Sequence, residues 1–270
     1  MSASIVLATL SVICFVPILT KPANNNKLPA IKPCPQSDPE FNKCVLQQVT
    51  NGKPYIAKGK FSARPQPISW LQFSQSVPEL NIPSVEPLHI PMIMLEQGTQ
   101  AVNYKAKLKD LKVYGLSHYK FQKIDVNLKT LMVMGMLTIP VLNLESDYTI
   151  RGRALLVPIQ GNGIFKANLT EAKVKVKMQG KLVNRKGQDY LEVKDTMIKL
   201  DIGGATAHFG NLFNGDKTLG QATNTFLNEN AKDIVDEVKP AVESVVNMLI
   251  DDIVNKVFRS LPFLKAFPKE

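Results

Sequence analysis

LGQATNTFLNENAKDIVDEVKPAVESVVNMLIDDIVNKVF, residues 219–258, is the stretch on which the fold turns. Leu219, Ala222, Phe226, Ile234, Val235, Val238, Val242, Val245, Leu249, Ile253 and Val257 recur at steps near three and four, the spacing of one helix face. A continuous helix of this size would be about 60 Å long at about 1.5 Å per residue. Pro240 withholds a backbone hydrogen bond and should kink it. Val246, Ile250, Val254 and Phe258 widen the apolar stripe, so the helix must be well covered. Asp233, Asp236, Glu237, Asp251 and Asp252 rule against a membrane span.

The cover lies upstream. From about Leu88 to Phe209 the chain reads as strands, with candidates at 88–96, 100–115, 118–128, 130–139, 147–159, 163–169, 171–184, 189–202 and 205–209. Asn184-Arg185-Lys186-Gly187 is the clearest hairpin turn. Connected strands of this kind imply antiparallel sheet. The alternation changes phase at Lys109-Asp110, at Gln122-Lys123 and near Asp195-Thr196. Each break is either a β-bulge, where one extra residue reverses the sides, or a turn between two short strands. Bulges would give long, coiled strands able to wrap the helix. The predicted fold is α+β: a highly curved antiparallel sheet around a long, kinked C-terminal helix. An apolar gap between the two could hold an apolar ligand.

The N-terminus is of another kind. Ile5 to Leu19 is almost uninterrupted apolar, short of the ~20 residues of a membrane span. It reads as a signal peptide over residues 1–20, cleaved between Thr20 and Ala23, the alternative being an N-terminal anchor. Residues 21–270 then form one domain. Cys14 would leave with the signal, and Cys34 and Cys44 would remain. A bridge between them would close a short loop and contribute ~2–3 kcal/mol; the alternative is two free thiols. Asp38 can cap and Pro39 can open a short amphipathic helix running to about Thr50.

The net charge is +10, but Lys173, Lys175 and Lys177 alternate with Ala172, Val174, Val176 and Met178, as on the wet face of a strand. No nucleic-acid motif accompanies them. His89, His118 and His208 stand far apart, with no metal-ligand neighbours at useful spacing. There is no G-x-S-x-G elbow, and Gly161-Asn162-Gly163 lacks the Lys and Ser/Thr of a phosphate loop. No catalytic residue, metal or cofactor is predicted. Asn168-Leu169-Thr170 is a glycosylation sequon at an expected strand end. Residues 131–139, LMVMGMLTI, are apolar on both faces, which implies cover on both sides. Met132, Met134 and Met136 share one face, read here as cavity lining or as plain core under the helix.

These residues carry a resemblance. The chain resembles the juvenile-hormone-binding and takeout family along nearly all of its mature length. The matching segments are Ile31-Lys32-Pro33-Cys34 with Ser37-Asp38-Pro39 and Cys44; Pro78 to Leu88 (PELNIPSVEPL); Val113-Tyr114-Gly115-Leu116; Asp147-Tyr148-Thr149-Ile150-Arg151-Gly152; Pro158 to Gly163 (PIQGNG); and Asn211 to Asp216 (NLFNGD). Asn228-Glu229-Asn230 opens the last helical stretch in the same way. Each segment is short; their order and spacing carry the likeness. It implies the tubular lipid-binding fold, a paired Cys34–Cys44 near the ligand entrance, and carriage of terpenoid or fatty molecules in haemolymph or sensory fluid. A second disulfide of the hormone carriers is missing, so the chain looks more takeout-like. In the family, Tyr55-Ile56-Ala57-Lys58-Gly59 runs almost directly into Pro78-Glu79-Leu80; here residues 60–77, with the lone Trp70, intervene as intron read-through or a surface loop.

The expected function is that of a secreted, monomeric carrier of a small hydrophobic ligand and not an enzyme, with no nucleic-acid partner and transient contact with a membrane surface. Tyr148 is the candidate polar contact, because it sits in a matching motif and a phenol can bond one ligand oxygen. Phe165 joins the three methionines as candidate lining. The rival expectation is a lipid- or lipopolysaccharide-binding defence protein acting at anionic membranes; a secreted hydrolase comes third.

Overall fold

The computed structural model describes residues 32–57, 84–98, 102–155, 157–259 and 261–270. The signal stretch 1–20 and the stretch 60–77 lie outside the described residues. Helix α1 (Phe41–Ala57) is followed by strands β1 (Leu88–Gly98), β2 (Val102–Tyr114), β3 (Lys120–Asn127), β4 (Met132–Ala154), β5 (Val157–Arg185), β6 (Gln188–Asp201) and β7 (Gly204–Phe209). Helices α2 (Lys217–Glu229), α3 (Ala231–Arg259) and α4 (Phe263–Ala266) close the chain. The strands form one sheet in the order β1-β2-β4-β5-β6, with β3 also beside β4 and β7 also beside β5. Every pairing is antiparallel. The long strands β4 and β5 are the spine, paired from Met132↔Gln179 to Ala154↔Val157.

The phase breaks at Lys109-Asp110 and Gln122-Lys123 are bulges inside continuous strands. The register of β2 on β4 slips between Lys109 and Lys112, and that of β3 on β4 slips between Phe121 and Lys123. The third slip falls one or two residues before the expected place, opposite Gln179 and Gly180, where Asp195 and Val193 pair and Lys194 is skipped. A fourth was not expected. Pro140 and Glu171 are both skipped, with Glu171 at φ 51, so both spine strands turn over together. Ile139 and Leu142 are therefore both buried while Val141 faces out.

Two boundaries differ from expectation. The stretches 130–139 and 147–159, and 163–169 and 171–184, do not end at turns; the spine runs through the gaps and reverses after Ala154, with Leu155 at φ 54. The reversal has no Gly, Asn or Asp to announce it. The C-terminal helix is interrupted at Asn230, while α3 continues through Pro240. Asn230 caps α2 at φ −106, ψ 22, and its side-chain amide donates to the Phe226 carbonyl at 2.8 Å. That local bonding offers the backbone an exit from the helix.

The helices take up the sheet's free edges, whose amides would otherwise lie unpaired. Along β7, Asn224 bonds both the N–H and the carbonyl of Phe209, and Asn228 does the same for Ala207. Along β6, Glu243 of α3 accepts the Leu200 amide at 2.8 Å and Asn255 accepts that of Val193 at 2.9 Å. Asn42 of α1 accepts the Val126 amide of β3 at 2.9 Å. One core gathers Leu108, Leu111, Tyr148, Ile159, Leu212 and Leu227; a second gathers Ile139, Leu142, Ala172, Val174 and Ile198, with Val246 and Ile250 of α3 against it.

The N-terminal element follows the reading and exceeds it. Asp38 accepts the Glu40 amide at 2.7 Å, and α1 runs on to Ala57. A disulfide joins Cys34 to Cys44, Cα atoms 5.9 Å apart. The Gln36 amide donates to the Pro268 carbonyl at 2.7 Å, and Phe41 meets Phe267 at 5.8 Å. The first and last described stretches are thus clasped at the disulfide end.

Candidate functional site

Directly paired residues of an antiparallel sheet project from the same face, so the register sorts inside from outside. Toward the helix point the rows Phe121–Leu137–Val174–Leu200, Ile124–Gly135–Val176–Ile198 and Val126–Val133–Met178–Thr196. All are apolar apart from Thr196. Ile198, Val174 and Thr196 are buried, whereas Ile124, Val126, Val133, Val176 and Met178 are only half-buried. The difference follows from the seat of α3, which lies chiefly along β6. The inner faces of β3 and β4 are farther from it. On α3 itself the one fully buried residue is Glu243; Ile253, Val254, Val257 and Phe258 remain half-buried.

Gly135 is the open place in this surface. A Cβ built there would meet nothing nearer than the Lys123 carbonyl and the Phe121 ring, each at 3.9 Å. At Gly161, by contrast, it would come within 2.9 Å of the Tyr148 hydroxyl, and at Gly163 within 2.6 Å of the Gly210 carbonyl. The glycines of the PIQGNG segment let the 210–212 turn press onto the sheet; Gly135 has no such visitor.

The polar groups of the interior are few. Thr196 Oγ1, Asn247 Oδ1 and Asp251 Oδ1 are buried without a hydrogen-bond partner among the described residues. Asn247 and Asp251 lie at successive turns of α3 between Glu243 and Asn255, both of which bond β6. At the opposite end, the Tyr104 hydroxyl on β2 is likewise buried without a partner among the described residues. Burial raises the pKa of Tyr104, so the group stays a neutral phenol.

The residues singled out from sequence fall in different places. Met132, Met134 and Met136 do not line the interior. They pair with Gln179, Lys177 and Lys175, and Met134 is 45% exposed, so this is the outer face. A stretch apolar on both faces does not say which face is inside, and the adaptability of methionine, on which the reading rested, suits either side. Tyr148 and Phe165 do point inward, but into a filled cluster. Their rings stand 5.1 and 4.8 Å from that of Phe209. Tyr148 is 3% exposed, and its hydroxyl donates to the Gly210 carbonyl at 2.7 Å. Burial pushes its phenol up to about 12. Its one proton therefore serves the fold. Asn168 lies within β5, paired with Asn143 and Thr206, and its amide nitrogen donates to Asn143 Oδ1 at 2.8 Å; it does not sit at a strand end.

Sequence reading missed Gly135, Thr196, Asn247, Asp251 and Tyr104. Gly135 carried a signal, a glycine amid β-branched and long apolar residues inside a strand. The others carried none without the register. Two open clefts, of about 490 Å³ by Arg151, Arg153 and Phe213 and about 440 Å³ by Lys53, His118 and Val141, include none of the predicted residues. Among the described residues no group of histidine, cysteine or carboxylate side chains could hold a metal ion, and no helix is long and apolar enough to cross a membrane.

The family description "Haemolymph juvenile hormone binding protein" matches residues 69–268. The chain belongs to that family. The family is one of binding proteins for small hydrophobic ligands. The chain is 25% identical over 207 residues to "Circadian clock-controlled protein daywake" of Drosophila melanogaster, a match covering 73% of this chain and 79% of that protein. It is 23% identical over 200 residues to a "Putative beta-carotene-binding protein" of Schistocerca gregaria, covering 73% and 78%. Its fold is that of Epiphyas postvittana Takeout 1, at a TM-score of 0.71 and 20% identity, over 88% of this chain and 99% of that one. The expected fold, a curved antiparallel sheet with helices packed against it, is therefore the observed one.

Proposed function

We propose that this protein is a secreted carrier that holds a small hydrophobic molecule between α3 and the inner faces of β3, β4 and β5. The observation that supports the reading is the apolar inner surface around Gly135: Ile124, Val126, Val133, Val176 and Met178 are only half-buried there, and a Cβ on Gly135 would meet nothing nearer than 3.9 Å. A terpenoid or fatty guest burying ~300–400 Å² would gain roughly 8–10 kcal/mol at ~25 cal/mol/Å². Association takes back several of these, which leaves micromolar to sub-micromolar affinity. Thr196, Asn247 and Asp251 supply the polar end of the site. Two of their unpartnered atoms are acceptors, so a guest bearing a hydroxyl suits them better than a plain hydrocarbon.

The carrier reading is favoured over a defence protein because the likeness runs to hormone- and carotenoid-binding relatives. Secretion rests on the apolar leader, on the disulfide and on a family of haemolymph proteins. The test is mass spectrometry of an organic extract of the native protein, with titration of the delipidated protein by a fluorescent fatty acid. A co-purifying terpenoid or fatty compound that displaces the probe is expected. An empty protein that takes up no probe overturns the reading. Thr196→Val should weaken a long-chain alcohol about tenfold and leave the matching alkane unchanged.

A further inference from the structure

The sheet has a second apolar surface, on its outside. The outward rows that back the Gly135 region run Asp125–Met134–Lys177–Met197 and Lys123–Met136–Lys175–Lys199 across β3, β4, β5 and β6. Across the strands, the lysine pair of β5 thus lies between the methionine pair of β4 and Met197 of β6. Met134 is 45% and Met197 53% exposed, and Lys123, Lys175 and Lys177 are exposed with no ion pair among the described residues. Lys199 is held by Glu243 over the β6 edge, and Asp125 is bonded by Asn42 at the β3 edge. The middle of the patch is therefore positive and apolar at once.

We propose that this methionine–lysine face docks the protein on an anionic phospholipid bilayer. Three observations select a bilayer over a folded partner or a polyanion. Met134 and Met197 expose apolar surface on an otherwise charged strand face, which an apolar layer would cover. Long, unbranched methionine side chains adapt to a fluid apolar layer, whereas a protein interface favours rigid aromatic anchors in pockets, of which this face has none among the described residues. Lys177 lies between Met134 and Met197, and Lys123 and Lys175 flank Met136; these lysines match the negative charge of a headgroup layer, and the methionines beside them would add nothing on a nucleic acid or glycan. The docking face is back to back with the proposed guest site but does not depend on it: emptying or blocking the interior leaves the outer rows in place.

The test is flotation of the full mature chain with vesicles of phosphatidylcholine alone and with about a third phosphatidylserine, at low and physiological salt. Binding to the anionic vesicles only, weakened by salt, is expected. Lys175→Gln with Lys177→Gln should lower the partition coefficient roughly thirtyfold, at about fivefold per lysine. Met134→Ser with Met197→Ser should lower it roughly tenfold or more while leaving the charge unchanged. Lys107→Gln with Lys109→Gln removes the same charge from β2, outside the patch, and should change it less than threefold. The proposal is overturned by absent binding at low salt, by methionine variants that bind like wild type, or by β2 variants that lose as much as the β5 pair. Urea midpoints of each variant, equal to wild type, keep loss of folding apart from loss of docking.

Discussion

Replacing Gly135 by leucine separates a hollow interior from a solid one. Gly135 sits between Ile124 and Val176 in an inward row, and its nearest neighbours to an added Cβ are 3.9 Å away. Its backbone is not among the positive-φ glycines, so a side chain brings no conformational strain. If the space beyond is open, leucine removes the entropic penalty of a glycine in a strand, about 0.5–1 kcal/mol. It also covers apolar surface now facing the gap. Stability should hold or rise by about 1 kcal/mol in urea unfolding. The guest would lose the same room: about 50 Å² of contact at ~25 cal/mol/Å² is ~1.3 kcal/mol, or roughly tenfold in affinity for a fluorescent fatty acid. If the interior is packed, the added carbons must push neighbours off their rotamers, at about 1–3 kcal/mol. A Gly135→Leu protein destabilised by about 2 kcal/mol, with guest affinity intact, would refute the site. Gly163→Leu is the internal contrast, because its Cβ would strike the Gly210 carbonyl at 2.6 Å and must destabilise whatever the guest does.

Tyr148→Phe should cost about 0.5–1.5 kcal/mol through the lost bond to Gly210. It should weaken oxygenated and hydrocarbon guests equally little, and selective loss of the oxygenated ones would show that the hydroxyl faces the guest. Glu86 receives the Gly115 and Ser117 amides at 2.8 and 2.9 Å. Burial opposes its ionisation, but these bonds outweigh it and hold its pKa below the ordinary 4.5. A depressed folded pKa means that its stabilisation is complete above about pH 4.5 and is lost as the pH falls through the lower folded value. Glu86→Gln should therefore flatten the acid limb of a stability–pH profile, as read by urea midpoints at pH 7, 4 and 3. Glu243→Ala strands the Leu200 amide, and hydrogen exchange there should speed up about tenfold or more while Val126, held by Asn42, keeps its rate.

The fold was legible because its signals are local. The helical stripe from Leu219 to Phe258 and the phase slips at Asp110 and Gln122 can be counted on the chain itself. What was illegible is what two distant strands decide together. Pro140 looked like the end of one strand, but Glu171 sits opposite and the pair turn over jointly. In residues 131–139 both faces are apolar, so only the pairing with Lys175 and Lys177 tells that Met134 and Met136 face out and Gly135 faces in. Pro240 was expected to kink one continuous helix, yet α3 runs through it and Asn230 is where the chain changes element, because α2 is tied by Asn224 and Asn228 to β7. Tyr148 drew notice by its motif, and the motif belongs to the close seating of the 210–212 turn. A short run of letters does not say whether a tyrosine serves a guest or its own backbone.

Asn224, Asn228, Glu243 and Asn255 occupy the outer borders of β6 and β7 with side chains rather than with another strand. Any protein in solution meets copies of itself, and a bare border is where such copies stack into fibrils. Here that border is already spoken for at Ala207 and Phe209 of β7 and at Val193 and Leu200 of β6 by groups that cannot propagate a ladder. Replacing those four residues by alanine would leave the individual molecule a ribbon and rod still, but it would turn a dispersed population into one that seeds its own precipitation.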